Sequence, residues 1–472
     1  MKSRKRVWIA AVLASLVGLL GAGRSLGPAK DIPAGTGYSA SELCTRTLQS
    51  GESMEHVRVR YLEPKVQPLP RLWQIDTSPD AVAVRSVLPT LEHLRTAIHR
   101  QGLGCTVITP DTTEAAVRAQ RFTLAPDLPE DTRAWPLGEG AVESALLSDK
   151  AKGIIEQHAT RLLGEESSEL SRAKNTTALL VAQDGQLVFE RYGQGYAREQ
   201  PQLGWSMTKT LTAIIAGVFV RDGKIDIEAP VGLPRWQGTP KAAITWRQLL
   251  NMAPGLEWFE GYGGASDATQ MLFSQADQGS WAADREQTSQ PGTVFNYSTG
   301  FTNIAMLRMR QLAGGSHQAI YDLYQRELFA PLGIRRGLIE PDGNGTPVGG
   351  ARGMLRPVDW LRLGQLLANG GSWNGATVLT PEYVRFMTAA SPADPGYGAF
   401  IWREASDRVA PAHRARIPDD MVWFAGYLGQ FMLVVPSAKL VVLRMGVSVA
   451  GTMDHDLARD QTFELAAELL SP

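Results

Sequence analysis

Two stretches, one near the middle of the chain and one near its end, carry apolar runs separated by short polar turns. Residues 177–192 contain two such runs joined by Asp184-Gly185, and residues 430–445 contain two more joined by residues 437–439. A short turn between apolar runs, Asp-Gly above all, favours an antiparallel hairpin. The pattern therefore predicts an early and a late β-hairpin.

Beside these hairpins, apolar residues recur at helical spacing. Residues 211–218 are almost all apolar, so the helix that contains them is expected to be buried. We predict an α+β fold in which both ends of the domain build one antiparallel sheet, flanked by helices, with a helical lobe inserted between the two halves. The predicted helices cover residues 143–163, 206–221, Trp246–Asn251, Thr302–Leu312, Val358–Ala368 and Leu457–Leu470.

Residues 24–136 differ from the rest because they are rich in loops and scattered prolines. Within them the sequence predicts one helix over Ala81–Arg100, stopped by Gly102, and a short strand over Cys105–Ile108. No catalytic pattern occurs in this part of the chain. We interpret residues 24–136 as an N-terminal accessory segment and residues 137–472 as the functional domain.

The first residues have the character of a targeting segment. Four basic residues within positions 2–6 precede an apolar run over 7–20 and small residues at 21–23. This order is typical of a secretory signal, so residues 1–23 predict export to the periplasm or the cell exterior. Membrane attachment through an uncleaved segment is the alternative, although the run is slightly shorter than the roughly 20 apolar residues of a spanning helix.

Composition narrows the expected partners and cofactors. The net charge is −1 over 472 residues, and no basic stripe is present, which argues against nucleic acid as a partner. The chain has two cysteines, Cys44 and Cys105. In an exported protein such a pair favours a disulfide, with two buried thiols as the alternative. The histidines show no metal-ligand spacing, so we expect neither a metal nor an organic cofactor.

Ser206 and Lys209 are the first candidates for chemistry. They lie three residues apart at the entrance of the apolar helix and therefore share one helix face. A lysine at that position is desolvated, which lowers its pKa and lets it activate the serine as a nucleophile. The spacing alone is weak evidence, because Ser171 and Lys174 repeat it in a polar stretch that favours a solvated loop.

The order of several motifs resembles the serine β-lactamase and penicillin-binding-protein fold. The similarity is greatest to its class C-like branch, which includes esterases, D-stereospecific peptidases and 6-aminohexanoate-dimer hydrolases. It extends from about residue 137 to the end of the chain. The motifs are Trp-Ser-Met-Thr-Lys at 205–209, Gly-Lys-Ile-Asp at 223–226, Thr-Trp-Arg-Gln-Leu-Leu-Asn-Met at 245–252, Pro-Gly-Thr-Val-Phe-Asn-Tyr-Ser at 291–298 and the late Gly-Gln hairpin.

This resemblance assigns roles to individual residues. It implies that Ser206 is the nucleophile, that Lys209 is the lysine of the Ser-x-x-Lys motif, and that Tyr297 is a general base and then acid. The third motif aligns with Tyr427-Leu428-Gly429. By that alignment the backbone N–H groups of Ser206 and Gln430 would form the oxyanion hole.

Two positions depart from the family pattern. Thr299 occupies a position where relatives have Asn, and Tyr427 occupies one where they have Lys or His. A lysine at the second position would bind a substrate carboxylate, so its loss predicts a less anionic acyl substrate than a β-lactam. The aromatic residues that could line the pocket are Trp258, Tyr262, Tyr397 and Trp402, although each is also a reasonable packing residue.

The sequence therefore predicts an exported serine hydrolase that cleaves an ester or amide in a small-molecule or peptide-like acyl substrate. A penicillin-binding-protein-like D-peptidase or carboxypeptidase acting on peptidoglycan is the first alternative, with the same mechanism on another substrate. A non-catalytic binding protein that retains the fold is the second alternative, suggested by the changes at Thr299 and Tyr427.

Overall fold

The computed structural model describes residues 28–66, 69–87, 92–126, 128–129, 131–164, 174–405, 407, 409–448 and 453–470. The predicted signal at 1–23 and Ser171 lie outside these ranges. The expected solvated loop is wrong for Lys174, which is 1% exposed and donates to Gln461 at 3.2 Å. Within them, no helix combines the length and the apolar character that crossing a bilayer requires.

The strands of the described residues form two main antiparallel sheets and two small ones. The N-terminal sheet has the order β1-β2-β3-β4, and the central sheet has the order β12-β13-β14-β5-β6. The strands are β1 (Trp73–Ser78), β2 (Ala81–Ser86), β3 (His93–Arg100), β4 (Gly104–Ile108), β5 (Thr176–Gln183), β6 (Gln186–Tyr192), β7 (Gln202–Leu203), β8 (Leu338–Ile339), β9 (Gly353–Leu355), β10 (Ser372–Trp373), β11 (Ala376–Thr377), β12 (Val422–Gly426), β13 (Gln430–Val435) and β14 (Leu440–Gly446).

The central sheet joins the two predicted hairpins. Strands β5 and β6 are the early hairpin, β13 and β14 are the late one, and β14 pairs antiparallel with β5, with Val442 opposite Val181. The prediction of one sheet built from both ends of the domain is therefore confirmed.

Helices cover both faces of this sheet. Alternate residues of β5 enter different cores because successive side chains of a strand point to opposite faces. Leu179 and Val181 pack with Ile155 and Phe463 from the helices near the two ends of the domain. Leu180 belongs to the other core, with the helical lobe.

The helical lobe surrounds the helix that follows β7, Met207–Arg221, which we call the serine helix. Every residue of this helix from 207 to 219 is buried, so it is the central element of the lobe. The α-helices are Pro28–Cys44, Met54–Val57, Glu63–Val66, Glu114–Ala119, Asp149–Leu163, Met207–Arg221, Trp246–Leu250, Asp267–Ser274, Gln278–Ala283, Thr299–Leu312, His317–Tyr324, Pro357–Ala368, Pro381–Thr388, Pro411–Arg414 and Met453–Leu469.

The predicted helix over Ala81–Arg100 is wrong, because these residues supply β2 and β3. Val82 and Val84 are fully buried on one side of β2, which is the two-residue period of a strand. Pro89, within the predicted helix, would also have interrupted it. The segment is less loop-rich than expected, since helix Pro28–Cys44 packs against this sheet.

Buried ion pairs and hydrogen bonds link the N-terminal segment to the larger domain, and a disulfide crosslinks the segment internally. Cys44 and Cys105 form the predicted disulfide within the segment. Arg352 of the larger domain donates to Glu340, to Glu42 at 3.3 Å and to Thr45 at 2.5 Å, and all four residues are buried. The two regions also share one hydrophobic core.

Candidate functional site

Ser206 lies on a sharp turn between β7 and the serine helix. Trp205, immediately before it, has a left-handed φ of 49°, a conformation that non-glycine residues seldom adopt outside constrained sites. The Gly204 N–H donates to the Gly353 oxygen at 2.9 Å, and a Cβ at Gly204 would lie 2.1 Å from the Trp360 ring. The close packing around Gly204 fixes where the turn presents Ser206.

The hydroxyl of Ser206 is free of the usual role of a serine at this place. A serine that precedes a helix normally accepts a hydrogen bond from the backbone of the first turn. Ser206 makes no such bond, and its half-buried side chain accepts from Lys209 Nζ at 2.9 Å. The hydroxyl is thus available to react.

Lys209 is buried and fully hydrogen-bonded. Besides Ser206 Oγ, its Nζ donates to Thr299 Oγ1 at 2.8 Å and to the Gly350 oxygen at 2.9 Å. Burial lowers the pKa of Lys209 to about 8, while the negative charge of Glu260 opposes this shift. A large fraction of Lys209 is therefore neutral slightly above physiological pH, as a proton acceptor requires.

Tyr297 lies beside both residues. Its ring centroid is 4.8 Å from Lys209 Nζ. Burial and the charge of Glu260 raise the pKa of Tyr297, and the nearby Ser206 hydroxyl lowers it by less. Tyr297 is therefore a neutral phenol near neutral pH, suited to donate a proton. The structure brings together the three predicted reacting groups, Ser206, Lys209 and Tyr297.

Glu260 is a site residue that the sequence analysis missed. It accepts from the Thr299 N–H at 2.9 Å, from the Thr299 and Tyr262 hydroxyls and from Trp258 Nε1 at 2.5 Å. Its Oε1 lies 3.9 Å from Lys209 Nζ, and its side chain is 9% exposed. Glu260 thus holds Thr299 against the lysine. The available signal was the alternation of Trp258, Glu260 and Tyr262 in one aromatic-rich loop.

Tyr427 of the third motif lies in the site. Its ring packs on Trp205 and Tyr262, with centroid distances of 5.3 and 5.1 Å. The backbone just before it is close to the serine turn, since a Cβ at Gly426 would lie 2.2 Å from the Gly204 oxygen. The third motif therefore reaches the serine through Gly426 and Tyr427.

Gly429 and Gln430 lie on the β13 side of the turn that joins β12 to β13. The Gly429 oxygen accepts from Arg444 at 2.5 Å. Gln430 pairs with Gly426 in the sheet, and its side-chain amide donates to the Tyr427 oxygen at 3.0 Å and the Gly446 oxygen at 2.6 Å. The side chain of Gln430 thus holds the hairpin together.

Several backbone N–H groups around the site, those of Ser206 and Tyr427 among them, make no hydrogen bond within the described residues. Unpaired backbone donors are rare in buried positions and are the groups from which an oxyanion hole is built.

The remaining predicted aromatics divide into two kinds. Trp258 and Tyr262 bind Glu260, as described above. Tyr397 is 1% exposed and Trp402 is partly buried. Both pack around Tyr297, with ring centroids 6.1 and 5.4 Å from its own. These two residues therefore support Tyr297 from behind.

Comparison with known proteins agrees with this architecture. A family sequence model described as "Beta-lactamase" matches residues 155–467. The 6-aminohexanoate-dimer hydrolase of Paenarthrobacter ureafaciens is 23% identical over 232 residues, which are 45% of this chain and 57% of that protein. The match thus spans little more than half of that relative's length.

Two solved structures are similar in fold. One, described as a 6-aminohexanoate-dimer hydrolase from Bacillus anthracis, has a TM-score of 0.53 at 19% identity, covering 76% of this chain and 88% of its own. The other, a penicillin-binding-protein homologue from Caulobacter crescentus, has a TM-score of 0.52 at 16% identity, covering 68% and 97%. These likenesses confirm the predicted resemblance and the α+β fold.

Proposed function

Because the chain belongs to the β-lactamase family, whose sequence model matches about two thirds of it, we propose that it is an exported serine hydrolase. It cleaves an ester or amide of a small-molecule or peptide-like acyl substrate through an acyl-enzyme on Ser206. The observation that carries this proposal is the bond between Ser206 Oγ and the buried Lys209 Nζ at 2.9 Å. One fold can support many different functions, so the fold alone does not establish the reaction type. The arrangement of Ser206 and Lys209 is what supports it.

Proton transfer follows from the two pKa directions. Neutral Lys209 takes the proton of Ser206 as Oγ attacks the substrate carbonyl carbon. Tyr297, which is protonated in the resting enzyme, donates its proton to the leaving alcohol or amine as that bond breaks, and the Lys209 ammonium beside its ring then reprotonates Tyr297. Water then attacks the acyl-enzyme, the carboxylic acid leaves and Ser206 recovers its proton.

The oxyanion hole is assigned to the unpaired N–H groups of Ser206 and Tyr427. The sequence alignment proposed the Gln430 N–H as the second donor. We prefer Tyr427 because its N–H has no other acceptor in the described part of the chain and because the preceding Gly426 adjoins Gly204. Removing one such donor typically lowers kcat about 100- to 1,000-fold.

Export is supported by the basic and apolar order of residues 2–20 and by the disulfide. Disulfides persist in oxidising compartments and are rare in the cytosol. Whether residues 1–23 are removed or anchor the protein can be read from the N-terminal sequence of the protein recovered from its source.

The test of the reaction is covalent labelling. We expect a fluorescent fluorophosphonate to label the wild-type protein and the variant Ser171→Ala, which alters the second Ser-x-x-Lys tetrad, and to leave Ser206→Ala unlabelled. Labelling of Ser206→Ala as strongly as wild type would contradict the assignment.

A fluorescent penicillin, used in parallel, separates the alternatives. Labelling by the fluorophosphonate alone supports an esterase or amidase. Strong labelling by the penicillin would instead favour a D-peptidase acting on peptidoglycan. Labelling by neither reagent would favour a non-catalytic binding protein.

A further inference from the structure

Lys65 of the N-terminal segment lies over the ring of Tyr427 in the third motif. It lies on the short helix Glu63–Val66, is half-buried, and places its Nζ 4.9 Å from the centroid of the Tyr427 ring. Tyr427 packs on Trp205, the neighbour of Ser206, and on Tyr262, whose hydroxyl lies 3.2 Å from Thr299 Oγ1. A cation from a different region of the chain thus occupies the neighbourhood of the third motif.

Within the described residues, the Lys65 ammonium has no anionic partner. No carboxylate of the described residues pairs with it, and burial alone lowers its pKa. Glu42, which is near enough to raise the pKa of Tyr427, is already held by Arg46 at 2.8 Å and Arg352 at 3.3 Å. A partly desolvated cation without a counter-ion is unfavourable, so this position favours an anion from outside the chain.

The hydroxyl of Tyr427 is also unsatisfied. It is buried and, within the described ranges, has no hydrogen-bond partner. A buried hydroxyl without a partner has lost its hydrogen bonds to water and has gained none within the protein, which is unfavourable. The contact with an incoming ligand therefore falls to Lys65, whose ammonium can pair with a carboxylate while the Tyr427 ring packs against the lysine.

We infer that Lys65 and Tyr427 form a carboxylate-binding corner, so that the substrate of the proposed hydrolase carries a carboxylate apart from the bond that is cleaved. That the bound carboxylate belongs to a substrate rests on the proposed function. This corner reverses the sequence-based expectation of a less anionic substrate, which considered only the residue at position 427. The cation that this position lacks is supplied by the N-terminal segment.

The kinetic test compares matched anionic and neutral esters. One pair, mono-4-nitrophenyl adipate and 4-nitrophenyl hexanoate, carries the carboxylate on the acyl side. The other pair, 3-(hexanoyloxy)benzoate and its methyl ester, carries it on the leaving group. The variants are Lys65→Met, Lys65→Arg and the control Lys224→Met. Lys224 is an exposed lysine that also lies over an aromatic ring, 5.7 Å from the centroid of Phe219, beyond the far end of the serine helix.

In Lys65→Met we expect the ratio of kcat/KM for anionic over neutral ester to fall about tenfold or more in one pair, mainly through KM. Lys65→Arg keeps the charge and should retain most of the ratio, and Lys224→Met should match wild type. Ratios in Lys65→Met within twofold of wild type for both pairs would overturn the inference.

A binding measurement separates this inference from the proposed function. Calorimetric titration of Ser206→Ala with adipate and with neutral adipamide needs no turnover. We expect adipate to bind more tightly than adipamide and to lose this preference in Ser206→Ala/Lys65→Met. Equal binding of the two ligands by Ser206→Ala would overturn the carboxylate corner even if the fluorophosphonate labels Ser206. A preference for adipate without any labelling would leave the corner standing and reject the hydrolase.

Discussion

The larger domain and the N-terminal segment both border Ser206, but they contribute in different ways. The larger domain supplies every proposed reacting group, each at the end of a helix or strand or on a loop that a helix supports. The N-terminal segment supplies no reacting group. Its helix Pro28–Cys44 stacks Tyr38 on Trp205 at 6.2 Å between ring centroids, and its Asp31 accepts from the Ala265 N–H at 2.7 Å.

The difference is clearest in two lysines. Lys209 is buried, and three oxygen acceptors satisfy its ammonium. Lys65 is half-buried and faces an aromatic ring without an acid to balance it. The first arrangement is complete without a ligand, as a preorganised catalytic group should be. The arrangement around Lys65 lacks an anion, as expected of a group that binds an anionic ligand. Under the two proposals above, the larger domain carries out the reaction and the N-terminal segment contributes to substrate recognition.

The largest effect is expected at Lys209, the lysine that the larger domain contributes. The variant Lys209→Ala removes the proton acceptor, so we expect acylation by a fluorophosphonate to slow by about 1,000-fold or more. Lys224→Ala, which removes an exposed lysine, should label at the wild-type rate. Stopped-flow or gel-based labelling rates measure the effect, and thermal unfolding checks that both variants fold. A Lys209→Ala rate within tenfold of wild type would assign the proton to another group.

The second prediction concerns the link between the two regions. Arg352→Met leaves Glu340 and Glu42 buried without their shared cation. Removing one partner of a buried ion pair destabilises a protein by about 3–5 kcal/mol. Differential scanning calorimetry should show a clear fall in the unfolding temperature. Arg385→Met is the matched control, because it breaks the exposed pair with Glu382 at 2.8 Å and should change stability by about 1 kcal/mol or less.

If Arg352→Met unfolded no sooner than Arg385→Met, the N-terminal segment would be an independent attachment. We expect instead that the segment and the larger domain unfold in one transition, because they share a hydrophobic core.

Much of the larger domain could be predicted from local sequence patterns. The early hairpin follows from Asp184-Gly185, and the serine helix begins at Met207, within one residue of the prediction. These features depend on turn chemistry and on the spacing of apolar residues, which a single sequence displays. The family resemblance then placed Tyr297 and Tyr427 in the site.

The rest depends on contacts that local patterns do not carry. The strands β2 and β3 differ from the predicted helix because their two-residue alternation extends over only six and eight residues, too short to be distinguished from helical spacing by the sequence alone. Glu260 and Lys65 sit in a loop and a four-residue helix, and their partners are distant in sequence. Only the folded chain brings Lys65 to Tyr427 and Glu260 to Lys209.

The smallest effect is expected at Glu260, where the two regions meet. The loop that contains Glu260 is held by Asp31 of the N-terminal segment. The charge of Glu260 raises the pKa of Lys209 against the effect of burial. If neutral Lys209 is the base, kcat/KM of wild type rises with pH through about 8. Glu260→Gln removes the charge, so the pKa of Lys209 falls and this rise should move to lower pH.

The plateau of kcat in Glu260→Gln should fall roughly tenfold, because the carboxylate that holds Thr299 is lost. Glu382→Gln, at an exposed site, should leave the profile unchanged. A rise that stayed at the wild-type pH, or moved upward, in Glu260→Gln would show that Lys209 is not the titrating base and that Glu260 only supports the loop.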